Sequence, residues 1–208
     1  MADGARFFLS GIEHRKIFAK GKIAIRAGFP NQLCAHVVTG NMKMTASTHD
    51  GREQIISLLF PGDFVGQPFA HESGFTVTAL TETELSIYDR ADFENFLSLY
   101  PEYARGFLRQ VTATLDSTRE RVLSLGQCDV HARIAAFLID LLDRAEGSSR
   151  VEIPFSRADM ADYVGATIES VSRHLASLKC IGAIALIKGG RSISVLDRRL
   201  LEDALARL

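Results

Sequence analysis

The sequence predicts an α+β fold: a β-rich first half closing as a sandwich or barrel, then a long helix, then a small domain with the outline of a winged helix-turn-helix. Three observations carry this. From Lys16 to Asp89, short alternating apolar segments such as KIAIR, QIISLLF and FTVTAL are broken at Gly21, Gly28, Gly40, Gly51 and the PGD at 61–63, the punctuation of antiparallel strands. After Pro101 the period changes, with Ala104, Leu108, Val111, Leu115, Thr118, Val122 and Leu125 at alternating four and three spacings, a heptad-like seam. Near the C-terminus, two short helical stretches split by Gly165 precede two strands joined at Lys188, Gly189, Gly190 and Arg191, the order of a winged motif.

The elements follow in order. Asp89 to Leu97 reads as a short helix, and Pro101 opens the long one. Its heptad residues suit either packing on the β domain or a dimer seam; Arg105, Arg109, Asp116, Arg119 and Glu120 make the other face charged. Gly126 ends this helix and Asp129 caps the next, which runs to about Ala145 with Ile134, Phe137, Leu138, Leu141 and Leu142 turned inward. EGSSR at 146–150 is a loop and VEIPF a short strand. Ser156 starts a capping-box-like SRAD, Gly165 stops that helix, Thr167 caps the next and Gly182 closes it. AIALIKGGRSISVLD forms the two strands, and a helix from Asp197 to Leu208 ends the sequence.

Composition excludes several classes. With 208 residues, 47% of them hydrophobic, the chain can build two small cores. The longest apolar run, IAAFLI at 134–139, falls far short of the roughly 20 residues of a membrane span. MADGARFFLS shows no signal-peptide pattern, so a cytoplasmic setting is expected. Cys34, Cys128 and Cys180 are too few and too scattered for a disulfide framework or a zinc loop, and are expected as free, mostly buried thiols. A formal charge of −1 rules out coating nucleic acid by bulk electrostatics. From Tyr163 to Arg191, however, Arg173, Lys179, Lys188 and Arg191 stand against Glu169 alone, a local basic face.

TIESVSRHLASLKC at 167–180 concentrates Glu169, Ser172 and Arg173 at the start of the second helix of the motif. By itself the Glu169/Arg173 spacing suits an intrahelical ion pair of about 0.2 to 0.5 kcal/mol. At this position, in a helix of the kind that enters a major groove, the same residues suit base reading: a guanidinium fork on guanine, a carboxylate on the cytosine amine. Ser156, Arg157 and Thr167 at the helix starts, with Lys188 and Arg191 on the hairpin turn, are candidate phosphate contacts. His174 is either a packed histidine or a further phosphate contact. Cys180 at the helix end is either a buried small residue or a redox switch.

The whole pattern resembles regulators of the CRP/FNR family. FAKGKIAIRAG, VVTGNMKM and HDGREQIISLLFPGDFVG carry that family's glycine punctuation, and the long helix and winged motif follow in its order. The resemblance implies a cyclic-nucleotide-binding-like β-roll, a double-stranded jelly roll, over 1–98, a dimerisation helix at 99–126 and a DNA-binding domain at 127–208. ESVSR at 169–173 resembles the FNR and FixK branch, which implies that Glu169, Ser172 and Arg173 read half-sites of the TTGA type. It also implies a homodimer paired through Leu108, Val111, Leu115, Thr118, Val122 and Leu125, and contact of the 49–52 HDGR turn with RNA polymerase.

Departures bear on the signal. Where cyclic-AMP-binding relatives place an acidic ribose contact and an Arg for the phosphate, this chain has Gln67 and no Arg between Gly66 and Leu80, so cyclic AMP is not expected. The four cysteines of an iron–sulfur FNR are absent, with Ser86 near the place of the β-domain ligand, so a 4Fe-4S cluster is not expected either. His14, His36, His49 and His71 leave a haem or metal ligand open. A rival reading is a cupin-like metalloenzyme; another is a ligand-binding module with an accessory helical domain. The first lacks an HxH pair and a Glu at cupin spacing.

Overall fold

The computed structural model describes residues 11–47, 53–144, 150–153, 156–187 and 192–205. It divides into two units, Met1–Thr114 and Leu115–Leu208, with the division inside the long helix.

Eight strands build the first unit: β1 His14–Phe18, β2 Ile23–Ile25, β3 Leu33–Thr39, β4 Met42–Ser47, β5 Glu53–Leu59, β6 Phe64–Val65, β7 Thr76–Ala79 and β8 Thr83–Asp89. They pair antiparallel as two sheets ordered β1-β8-β3-β6 and β2-β7-β4-β5. Residues alternating along these strands send Phe18, Ile25, Ala35, Val37, Met42, Leu59, Val65, Val77, Ala79 and Leu85 into one core, as the period of two requires. Gly40 makes the β3–β4 turn possible: its φ is 80°, and a Cβ there would stand 2.2 Å from the Glu82 carbonyl oxygen.

The outer face of β3 and β8 carries a second cluster of Cys34, Tyr88, Phe93, Phe96 and Leu97, with Phe64, Tyr103, Ala104 and Phe107 packed against it. The helices α1 Arg90–Leu99 and α2 Pro101–Gln127 supply its far side. Asp89 caps α1 by accepting from the Ala91 N–H. Only the first turns of α2 pack on the roll. From Leu108 onward its apolar residues lie open, with Leu108 63% and Val122 61% exposed, so packing on the β domain does not account for the heptad. The helix also continues through Gly126 to Gln127, one residue past the expected stop, because the Cys128 N–H donates to the Ser124 carbonyl and closes one more turn.

The second unit contains α3 Val130–Arg144, β9 Arg150–Glu152, α4 Arg157–Val164, α5 Ile168–Cys180, β10 Ile184–Ile187, β11 Ser192–Val195 and α6 Arg198–Leu205. Asp129 caps α3 through the Ala132 N–H at 2.8 Å, and Ile134, Phe137, Leu138, Leu141 and Leu142 are all buried. Strands β10-β11-β9 form a small antiparallel sheet. The turn Lys188 to Arg191, the segment at 145–149, His49 and the HDGR turn lie outside the described residues. Among the described residues, no helix is long and apolar enough to cross a membrane.

Candidate nucleic-acid interface

The helix-turn-helix is α4, Gly165, Ala166, Thr167 and α5. Its first helix starts in a full capping box: the Ser156 hydroxyl accepts from the Asp159 N–H, and Asp159 accepts from the Ser156 N–H at 3.1 Å. Gly165 ends it in the left-handed region at φ 64°, a conformation that a Cβ disfavours. A Cβ there would also sit 3.1 Å from both an Arg133 nitrogen and the Leu125 Cδ2. Thr167 caps α5 by accepting from the Ser170 N–H. Met160, Ala161, Val164, Val171, Leu175 and Leu178 are buried between the two helices and their support, so the crossing angle is set by close packing.

That packing decides what α5 presents outward. Glu169, Ser172 and Arg173 are exposed. The ion pair expected of an isolated helix does not form: among the described residues, Glu169 turns back to its own backbone N–H and the Thr167 hydroxyl. Those bonds hold its carboxyl below the ordinary carboxylate value. Among the described residues, the Arg173 guanidinium donates to the Ser170 hydroxyl at 3.5 Å and has no carboxylate partner, which leaves its fork open. A donor fork and a carboxylate on one exposed helical face can read base edges.

The proposed phosphate contacts divide. Thr167 is exposed at a helix start, whereas the Ser156 hydroxyl also bonds the Asp159 carboxylate at 2.6 Å. Arg157 is half-buried and lies back over the Met160 sulfur, and burial lowers its pKa. Cys180 is exposed and Cys128 half-buried; only Cys34 is buried. This corrects the expectation of mostly buried thiols: Val171, Leu175 and Leu178 take the inward face of α5, which leaves the last residue toward solvent. Sequence reasoning passed over His131 and Arg133 of α3, although a basic residue between Ala132 and Ile134 on an apolar helix was a visible signal.

His174 is half-buried, its ring 5.3 Å from that of His131. Burial first, then the charges of His131 and Arg173, push its pKa below 6.5, with Asp129 opposing them. The unfolded chain therefore takes up this proton first, so the stabilisation is present above about pH 6.5 and is lost as pH falls through the folded value. We expect the melting temperature to drop between pH 7.5 and 5.5, and to drop less in His174→Leu. Equal slopes in the two proteins would refute this assignment. Burial lowers His36 in the same sense, so part of the drop persists in the variant.

In the roll, the segment after Gly66 is closed by its own bonds. The Gln67 Oε1 accepts from the Gly74 N–H at 2.9 Å, and the Asn31 amide donates to the Gln67 and Ala70 carbonyls. Glu94 accepts from the Phe69 N–H at 2.8 Å and from Arg90 at 2.6 Å. Residues 66–80 hold no Lys or Arg to offset a cyclic phosphate, and the Gln67 Oε1 that a ribose hydroxyl would need already accepts from Gly74. The Ser86 hydroxyl donates to the Tyr88 hydroxyl at 2.9 Å on the outer, helix-covered face of β8. His14 and His71 are exposed, and His36 stands edge-on to Phe64 and Tyr88. Among the described residues, no three metal-ligating side chains come together.

Residues 15–100 match the cyclic nucleotide-binding domain, and residues 132–204 match the Crp-like helix-turn-helix domain. The transcriptional activator protein FnrL of Cereibacter sphaeroides is 35% identical, over 94% of this chain and 82% of its own length. The nitrogen fixation regulation protein FixK of Rhizobium meliloti is also 35% identical, over 97% and 88%. The structure of FixK2 from Bradyrhizobium japonicum superposes with a TM-score of 0.88 at 26% identity, covering 95% of this chain and 99% of that one.

Proposed function

The chain belongs to the CRP/FNR family of transcription regulators and is not an enzyme; from that premise, we propose that it binds DNA as a homodimer and reads a TTGA/TCAA palindrome through Glu169, Ser172 and Arg173. The observation that carries this reading is the exposed face of α5, where the guanidinium of Arg173 has no ion-pair partner among the described residues. Thr167, and outside the described residues Lys188 and Arg191, supply phosphate contacts that fix the docking register. Ser156 and Arg157 contribute less, their side chains being engaged by Asp159 and Met160.

Dimerisation follows from selectivity: one recognition helix reads too few base pairs, whereas two related by a twofold axis read half-sites one turn apart. Leu108, Val111, Leu115, Thr118, Val122 and Leu125 form the seam, and the division of labour is 1–98 for sensing, 99–126 for pairing and 127–208 for DNA. The name of FnrL, a transcriptional activator, supports activation; contact with RNA polymerase through the 49–52 turn, in the cytoplasm, is part of the proposal. Cys180, exposed at the end of α5, is the candidate redox-sensitive thiol.

The test is fluorescence anisotropy with the palindrome and a scrambled duplex. Binding to the palindrome is expected to be at least about 10³-fold tighter and to weaken steeply with salt. Equal affinity for both duplexes would sink the proposal.

A further inference from the structure

The helix-turn-helix is gripped from outside by side chains of the two helices before it. Arg121 of α2 places its guanidinium carbon 4.8 Å from the centroid of the Tyr163 ring in α4. The same ring meets Phe137 of α3 at 5.3 Å. Leu125, one turn beyond Arg121, borders Gly165. Arg133 of α3 donates to the Val164 carbonyl at 2.6 Å and to that of Gly165 at 3.1 Å. Its Nε is buried with no acceptor among the described residues, so the guanidinium is placed for the two carbonyls at the end of α4. All these residues lie in the unit Leu115–Leu208.

Only Cys128 and Asp129 separate α2 from α3. A break that short is the natural place for the DNA-reading helices to swivel against the long helix. The Arg121–Tyr163 and Leu125–Gly165 contacts bridge it. Arg121 and Leu125 also lie in the same helical stretch as Leu115, Thr118 and Val122, so the proposed seam connects to the turn of the motif without an intervening loop.

Resting on the reading that this seam pairs two chains and α5 reads bases, we propose that Arg121, stacked on Tyr163, sets how strictly the dimer measures the distance between its half-sites. An added base pair moves one half-site by about 3.4 Å along the duplex and rotates it. A reading helix locked to the twofold seam cannot follow, and loses contacts. One free to turn about Cys128 and Asp129 can follow. Arg suits the post better than Lys because its planar cation stacks on the ring face as well as being attracted to it.

The experiment uses the full chain and three duplexes: the palindrome, the palindrome with one base pair added at its centre, and the palindrome with the guanine of each TTGA arm replaced. The unsubstituted protein is expected to bind the first best. Arg121→Ala should lower the spacing preference by about two- to thirtyfold, the range of a cation–π contact, and leave the guanine preference unchanged. Tyr163→Leu should do the same, and the double variant should add nothing further. Arg121→Lys should fall between and serves if Arg121→Ala proves too unstable to measure. A variant with native melting behaviour and unchanged spacing preference overturns the proposal; so does an equal fall in both preferences, which signals general loosening. If the unsubstituted protein shows no preference for the palindrome, the DNA-reading assignment itself fails and takes this one with it.

Discussion

Arg173→Ala is expected to abolish discrimination at the guanine of each half-site while leaving the fold intact. A bidentate arginine contact separates the right base from the wrong one by about 1 to 3 kcal/mol, so the preference for guanine over adenine in one arm should shrink by about 5- to 150-fold. The side chain is exposed, and its hydroxyl partner is 3.5 Å away, so truncation should cost stability no more than about 0.5 kcal/mol. Arg173→Lys should fail nearly as badly, because a single ammonium cannot present two parallel donors. The comparison is anisotropy titration of the palindrome against duplexes altered at the guanine, with melting curves as a control. Guanine preference surviving in Arg173→Ala would remove that residue from the reading face, and with it the proposed site.

The second large effect belongs to the seam. Leu115 and Val122 are 46% and 61% exposed in the single chain, so placing glutamates there costs the monomer little. Across a twofold axis the same substitutions bury like charges against each other. Leu115→Glu/Val122→Glu should therefore sediment as a folded monomer. Because the second half-site is then no longer bound intramolecularly, affinity for the palindrome should fall by about 10²- to 10⁴-fold. A variant that still sediments as a dimer would place the pairing surface elsewhere.

The features legible in advance are those fixed over a few residues. Asp129, Ser156 and Thr167 cap helices as read, since a cap needs only its own side chain and the amides two or three positions on. Gly165 stops α4 for an equally local reason, its positive φ. The alternation of FTVTAL announced two faces, Val77 and Ala79 inward against Thr76 and Thr78. The ion pair suggested by the Glu169/Arg173 spacing was misleading. The spacing points Glu169 to Arg173, but the capped helix start also offers the Thr167 hydroxyl and Glu169's own amide, and these are the partners the carboxylate takes.

The sequence by itself determined the order of the elements, the capped helix-turn-helix and which polar side chains occupy the start of its second helix, because periodicity and capping act over one or two turns of chain. The tertiary structure alone decided that the long helix keeps its apolar seam exposed beyond Leu108, that Cys180 faces outward, and that Arg121 and Arg133 hold the motif from behind. The last of these depends on residues more than thirty positions apart meeting across packed helices. Spacing along one chain carries no information about which side chain will fill the space left by another.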